Sequence, residues 1–481
     1  MYLGIDLGTS GVKVVLMDEQ LQVCASESVS LTCDHPHPLW SEQSATQWWH
    51  ATEQALDHLA QAHSLQAVKA IGVTGQMHGA VLLDEKGEPL RPAILWNDGR
   101  CAPQCALLSE RVPSVESITG NQVMTGMTAP KLLWVAEHEP DLFRQIVHVV
   151  LPKDYLRWKL CGTFATDMSD ASGTLWLNVA TRQWDETLLN ACGLTVDQVP
   201  VLLEGPQVSG SLHEEHQQRW GFSSALPIIA GGGDNAAGAL GVGVWQSGQA
   251  MLSLGTSGVY FAVSDGFYAN SRQAVHSFCH ALPNTWHLMS VMLSAASCLE
   301  WAVTITGQSS VADFLQLAQR ASVTADSPIF LPYLAGERTP HNNPYATGTF
   351  TGLTQQHGPA EVAFAVVEGV SLGLAEGMDA LHQSGVVPTS IILIGGGARS
   401  EFWRQLLADV TGKSLEYRQG GDVGPALGAA RLARMACNPS LPLAEHFPAS
   451  PSVATYQPDE ERHHFYQRRL RLFQQYYQKI K

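Results

Sequence analysis

The hexapeptide Leu7-Gly8-Thr9-Ser10-Gly11-Val12 occurs twice in this chain. It returns unchanged as Leu254-Gly255-Thr256-Ser257-Gly258-Val259, about half a chain length later. MYLGID precedes the first copy and VKVVLM follows its turn; AMLSL and VYFAV flank the second. These flanks are apolar and β-prone, so each copy reads as strand, tight Gly-rich turn, strand. Six identical residues in identical context point to two domains of similar topology, joined near residues 244–248. Gly8 and Gly11 let a ligand approach the backbone, and Thr9, Ser10, Thr256 and Ser257 add hydroxyls. Two such loops facing each other across a cleft cradle a chain of phosphates without needing lysine.

A second pattern repeats in the same halves. LPIIA (226–230) is a short apolar strand followed by Gly231-Gly232-Gly233-Asp234-Asn235 and the small-residue run AAGALGVGV. SIILI (390–394) is another, followed by Gly395-Gly396-Gly397-Ala398-Arg399-Ser400 and EFWRQLLADVTG. The latter predicts a helix with Phe402, Trp403, Leu406, Leu407 and Val410 on one face, Ser400 as N-cap and Gly412 past its end. Strand, glycine turn and helix start together make an anion or nucleotide site. Neither turn is GxGxxG or GxxxxGK[ST], which disfavours the Rossmann and P-loop readings.

Composition narrows the partners. The chain has 481 residues, 45% apolar, only 15% charged, with a formal charge of -16. That excludes a broad basic face for nucleic acid and argues against an anionic membrane surface. Nine scattered cysteines without CxxC spacing read as reduced thiols in the cytoplasm, and no signal peptide or membrane span is legible.

DLGTSG at the first strand and the second LGTSG loop resemble the actin-like ATPase superfamily. GGGDN, GGGARS and the late GGDVGPALGAA resemble its sugar-kinase branch, the FGGY carbohydrate kinases. HPHPLWSEQ (35–43), GQMHG (75–79) and WNDGR (96–100) resemble the members that act on a ketopentose. The resemblance implies an α/β fold of two actin-like (ribonuclease-H-like) domains with a ligand cleft between them. It implies residues 1–244 for sugar and 245–481 for nucleotide. The implied reaction is Mg2+-dependent transfer from ATP to D-xylulose, at O5. Kinases of ribulose, gluconate or glycerol remain as rivals, and so does an acceptor-independent actin-like ATPase.

Phosphoryl transfer needs in-line positioning, charge neutralisation and a base for the attacking hydroxyl. The resemblance assigns that base to Asp234; the competing reading is an N-cap for the following helix. Asp6 closes the first strand beside the phosphate loop and is the candidate Mg2+ ligand, with Asp234 beside it, since Mg2+ takes only one or two carboxylates. Lys13 either neutralises phosphate or faces solvent. Met77, His78, Trp96, Asn97, Asp98 and Asn235 are the candidate sugar contacts, a flat apolar wall with polar groups around it. His78 alone reads equally as a structural histidine, and Asn97-Asp98-Gly99 as a turn. Gly8, Thr9, Ser10, Gly11, Lys13, Gly255, Thr256, Ser257, Gly396, Gly397 and Ala398 are the nucleotide candidates. Asp422 and Gly424 read as the start of a packing helix, and Glu337 and Arg338 stay undecided between ligand and surface pairing. The tail places Phe465, Leu472, Phe473, Tyr476 and Ile480 at helical spacing, a closing helix that leaves a homodimer interface open.

Overall fold

A computed structural model describes residues 1–223, 225–418 and 424–481. Asp422 lies outside the described residues. The first half builds a seven-stranded sheet from β1 (Tyr2–Leu7), β2 (Gly11–Met17), β3 (Val23–Ser30), β4 (Ile71–Gly75), β5 (Val208–Ser211), β6 (Pro227–Ile229) and the two-residue β7 (Gly232–Gly233). Its order is β5-β6-β4-β1-β2-β3, with β7 also on β4. The helices that matter here are α1 (Ala45–Ala62), α2 (Thr128–His138), α3 (Pro152–Cys161) and α4 (Asp234–Gly241).

The second half repeats the plan. Its strands are β8 (Gln249–Leu254), β9 (Gly258–Ser264), β10 (His276–Cys279), β11 (Trp286–Met292), β12 (Ser390–Ile394), β13 (Leu415–Arg418) and β14 (Ser452–Tyr456), in the order β10-β11-β9-β8-β12-β13-β14. Its helices are α5 (Ala296–Thr306), α6 (Val311–Ala318), α7 (Pro359–His382), α8 (Glu401–Thr411), α9 (Gly424–Cys437) and α10 (Glu460–Ile480). β1 pairs antiparallel with β2 and parallel with β4; β8 pairs antiparallel with β9 and parallel with β12. The hexapeptide is the hairpin turn in both sheets. The expected pair of like α/β domains is therefore present.

One helix crosses between the halves. α9 follows β13 in sequence but packs on β1 and β4 of the first sheet, and against α4. The approach is backbone on backbone. A Cβ on Gly4 would sit 1.9 Å from the Ala426 carbonyl oxygen, one on Gly72 2.1 Å from that of Ala429, and one on Gly428 1.8 Å from that of Ala237. Small residues thus clamp α4, the helix that begins at Asp234, onto the sheet. Packing is the function of this run, as its composition suggests.

α7 is buried on nearly every side, as an apolar helix without a polar face must be. α10 covers the second half, and Phe465, Leu472 and Tyr476 of the expected face pack half-buried against the core beside Phe473. Tyr466, Arg469, Phe473 and Tyr477 are buried, while Ile480 is exposed. Arg469 anchors the helix. Its guanidinium pairs with buried Glu368 and donates to the carbonyls of Ser327 (3.1 Å) and Pro328 (3.0 Å). Among the described residues no helix is long and apolar enough to cross a membrane.

Candidate active site

Parallel strands deliver their carboxyl ends to one place. In register, Asp6 lies opposite Thr74 of β4, and Thr74 lies opposite Gly232 of β7. Asp234 follows directly, so Asp6 and Asp234 meet at the strand ends. On the other side Asp6 faces Lys13 across the β1–β2 pair. Burial raises the Asp234 carboxyl to about 6. Burial, and then the charge of Asp234, raise Asp6 to about 7, against the pull of Lys13. Asp234 ionises first, and its charge then holds the proton on Asp6.

Asp234 is the first residue of α4 and Gly233 is the cap position, with no side-chain cap bond. The carboxylate is thus free of the N-cap duty that its sequence position allows. One oxygen, Oδ1, accepts from the Asn235 backbone N–H at 2.7 Å and from its amide Nδ2 at 2.9 Å. Asn235 therefore orients the carboxylate. The Gly233 N–H donates to Ser169 Oγ at 2.9 Å, and that hydroxyl donates to Asp167. Asp167 belongs to a buried cluster with Lys153, Asp154, Arg157 and Asp170. Sequence reasoning missed this support, because its members lie far from any motif.

Asp6 Oδ1 is buried and has no hydrogen-bond partner among the described residues. An orphaned carboxylate oxygen beside a second carboxylate suits a hard cation, so the residues present fit Mg2+.

The sugar-side candidates form one wall with two exceptions. Met77 (4% exposed) abuts Gly233, whose Cβ would lie 2.8 Å from its sulfur. His78 adopts φ +70 and is buried, with Nδ1 2.9 Å from the Gly173 carbonyl oxygen. Burial, aided by nearby Lys131, lowers the His78 pKa to about 3. The ring is therefore neutral: Nδ1–H donates to Gly173, and Nε2 is left as an acceptor for a hydroxyl. Buried Lys131 of α2 donates to the carbonyls of His78 and Gly126, each at 2.8 Å, and fixes the loop from beneath. Trp96 Nε1 donates to Thr9 Oγ1 at 3.0 Å, and Thr9 Oγ1 donates to Gln76 Oε1 at 2.9 Å. This ties the sugar wall to the phosphate loop. It also commits the Thr9 hydroxyl, so that loop offers its backbone and Ser10 instead. Gln43 donates to the Thr9 carbonyl at 2.7 Å and locks the turn.

The exceptions are Asn97 and Asp98. Asn97 is exposed at the rim. Asp98 is fully committed: it accepts from the Ser41 N–H at 2.6 Å and from Arg100 Nε and Nη2 at 2.9 and 2.7 Å. Its carboxylate holds the loop through a buried bidentate arginine.

The nucleotide candidates of the second half gather around a cavity of about 730 Å3, which Gly8, Thr9, Ser10, Gly11 and Lys13 do not line. Gly255, Thr256, Gly396 and Gly397 line it, with Leu299, Val311 and Leu315 as an apolar wall and Arg399, Ser400 and Trp403 at the start of α8. Ser400 caps α8 by accepting from the Trp403 N–H. Ala398 is fully buried beneath the turn, and Ser257 sits in the hairpin beside the cavity. The glycines differ in their reasons. Gly395 has φ +92, and a Cβ on Gly397 would meet the Trp403 ring at 2.6 Å. A Cβ on Gly396 would meet nothing within 4 Å. A side chain there would point into the open space of the cavity that Gly396 lines.

Of Glu337 and Arg338, undecided from sequence, Glu337 is buried and Arg338 half-buried. Glu337 is 3% exposed, its carboxyl is raised to about 8 by burial, and it accepts from the Leu293 N–H at 3.0 Å.

Comparison with known proteins agrees with this arrangement. The chain is 60% identical over 480 residues to a xylulose kinase of Escherichia coli K12, covering 100% of this chain and 99% of the relative. It is 55% identical over 481 residues to a xylulose kinase of Klebsiella pneumoniae, with the same coverage. The crystal structure of a xyloylose kinase from Brucella ovis superposes with a TM-score of 0.95 at 41% identity, over 100% of this chain and 99% of that one. The N-terminal domain of the FGGY family of carbohydrate kinases matches residues 1–241, and its C-terminal domain matches residues 250–437. Since those two matches together span nearly all of both halves, the chain belongs to the FGGY family of carbohydrate kinases.

Proposed function

We propose that this kinase transfers the γ-phosphoryl group of ATP to O5 of D-xylulose. Residues 1–244 hold mainly the sugar and residues 245–481 mainly the nucleotide. The observation that carries the reading is the Asp6–Asp234 pair. It stands at one junction with the Met77–His78 wall, itself tied through Trp96 to a phosphate loop. The full-length likeness to xylulose kinases supports the choice of sugar. Asp234, with one oxygen fixed by Asn235, takes the proton from the sugar hydroxyl through the other. His78 Nε2 accepts from a hydroxyl further along the sugar and sets its register. Asp6 and Asp234 would hold Mg2+, which when bound neutralises charge on the transferring phosphates. The nine unpaired thiols support a cytoplasmic setting. Closure of the cleft excludes water as a competing acceptor.

A coupled ADP-release assay with Mg·ATP tests this directly. D-xylulose is expected to stimulate release far above the acceptor-free rate, and above D-ribulose, L-ribulose, gluconate and glycerol. Stronger release with another acceptor would move the substrate and keep the chemistry. Acceptor-independent release would overturn the kinase reading.

The cavity makes its own prediction. Gly396→Leu is expected to raise KM for ATP about tenfold or more while D-xylulose affinity stays the same. A side chain forced into space meant for a ligand costs about 1–3 kcal/mol. Gly396 needs no left-handed backbone, so the fold tolerates the change. An unchanged KM for ATP would place the nucleotide elsewhere.

A further inference from the structure

Arg338 is the residue that the site leaves unexplained. It sits on the second half, and its backbone is pinned on both sides. The Arg338 N–H donates to Glu337 Oε1 at 2.7 Å, the Thr339 N–H donates to the Val291 carbonyl at 3.0 Å, and the Glu337 and Asn343 backbones bond each other at 2.9 and 2.8 Å. The side chain leaves this anchored loop and crosses to the first half. A Cβ on Gly126 would lie 3.1 Å from Arg338 Nη2 and 2.9 Å from the Trp96 carbonyl oxygen. The guanidinium thus rests over Gly126 and beside the Trp96 segment. Gly126 is also the residue whose carbonyl, with that of His78, accepts from Lys131.

Among the described residues no carboxylate or carbonyl pairs with the guanidinium. Its charge reaches His78, Lys131 and His276, and the neighbouring Glu337. Glu337 turns Oε1 back onto the backbone N–H groups of Leu293 and Arg338, away from a pairing with the guanidinium. An arginine held this way, largely withdrawn from water, needs acceptor oxygens from a ligand.

The order of groups along the wall says which oxygens. Asp234 marks the reacting end. Met77 touches Gly233 next to it, His78 follows in the chain, and the charge of Arg338 reaches His78. We propose that Arg338 donates to the carbonyl oxygen at C2 and the neighbouring O1 of the bound ketose, and so determines specificity for a ketose over the corresponding polyol. This rests on the sugar-kinase reading above. Donors in a planar fork match a carbonyl with an adjacent hydroxyl oxygen. His78 supplies the complementary acceptor. Because Asp234 and His78 come from the first half and Arg338 from the second, the ketose bridges the two halves.

The test compares D-xylulose with xylitol, which differs only in a reduced C2. Steady-state kcat/KM for both acceptors is measured for wild type, Arg338→Ala and Arg338→Lys, with ADP binding by calorimetry as the control for an intact fold. Arg338→Ala is expected to cut kcat/KM for D-xylulose about ten- to a hundredfold, chiefly through KM. The xylulose-to-xylitol ratio is expected to fall at least tenfold, with Arg338→Lys in between and ADP binding retained by both. A ratio equal to that of wild type in a variant that still binds ADP overturns the inference. So does a loss in kcat for both acceptors alike, which would place the guanidinium on the transferring phosphate. Wild type that phosphorylates no ketopentose overturns the functional reading and the inference with it.

Discussion

Asp234→Asn is expected to lower kcat with D-xylulose by about 10²- to 10⁴-fold, the range lost with a general base, while KM for the sugar changes little. The amide keeps the size of the carboxylate and can still accept from Asn235, so the sugar wall stays in place. What disappears is the capacity to take the O5 proton and the charge facing Asp6. Steady-state kinetics decide the matter, and turnover within tenfold of wild type would remove the assignment. The same substitution is expected to stabilise the protein free of Mg·ATP. The Asp234 carboxyl stands at about 6 in the fold, against an ordinary 3.8, because burial penalises its charge. A carboxyl that holds its proton more tightly when folded contributes stability below its unfolded pKa. That contribution is lost as pH rises through the folded value. For Asp234 the window runs from about 4 to 6, and Asp6 extends it to about 7. At pH 8 wild type therefore bears a cost that Asp234→Asn relieves, on the order of 1–2 kcal/mol after screening at the open cleft. Calorimetry across pH 4–8 is expected to show a falling stability for wild type and a flatter profile for the variant. Identical profiles would mean that the pair is solvated in the free protein.

The parts of this site that the sequence discloses are those carried by local pattern. The hexapeptide forecasts both hairpins, because strand–turn–strand is written in consecutive residues. GGGDN and GGGARS forecast the helix starts for the same reason. Asp6 and Asp234 follow from being the polar residues that end buried strands. The supports are different in kind. Lys131 beneath His78, Ser169 beneath Gly233 and Arg338 over Gly126 are placed by the fold from distant segments, and no spacing in the chain relates them. Asp98 shows the opposite failure. Its WNDGR setting looks like a sugar contact, yet Arg100 two residues on consumes both oxygens. α9 shows the limit for topology. Its small residues announce close packing, but which sheet receives it depends on the glycines of β1 and β4, some three hundred and fifty residues or more earlier in roughly counted sequence.

Lys153→Met is expected to destabilise the protein by about 3–5 kcal/mol, the usual cost of stranding a buried ion partner. Lys153 Nζ stands 2.6 Å from Asp154, 2.9 Å from Asp167 and 3.3 Å from Asp170, with all four side chains at most 1% exposed. Arg157 adds a second cation, 3.0 Å from Asp154. Burial holds the Asp170 carboxyl well above the usual range, so it keeps its proton. Two cations then face two carboxylates, and the cluster is balanced. Burial alone would lower the lysine pKa, but the aspartates, Asp154 and Asp167 foremost, overcome this and hold it above its ordinary value. Removing the lysine leaves one excess negative charge with no water to screen it. Because Asp167 anchors Ser169, and Ser169 anchors the Gly233 N–H, kcat is expected to fall as well. Two further variants separate these effects. Ser169→Ala leaves every ion in place and cuts only the tether, so it is expected to cost about 1 kcal/mol of stability yet lower kcat several-fold. Lys153→Met with Asp154→Asn restores the charge balance and is expected to recover at least about half of the lost stability, a coupling that a double-mutant cycle isolates. Denaturant unfolding and steady-state kinetics on the same preparations read both. If the double variant were no more stable than Lys153→Met alone, charge imbalance would not be the cause, and loss of packing around the lysine stem would take its place.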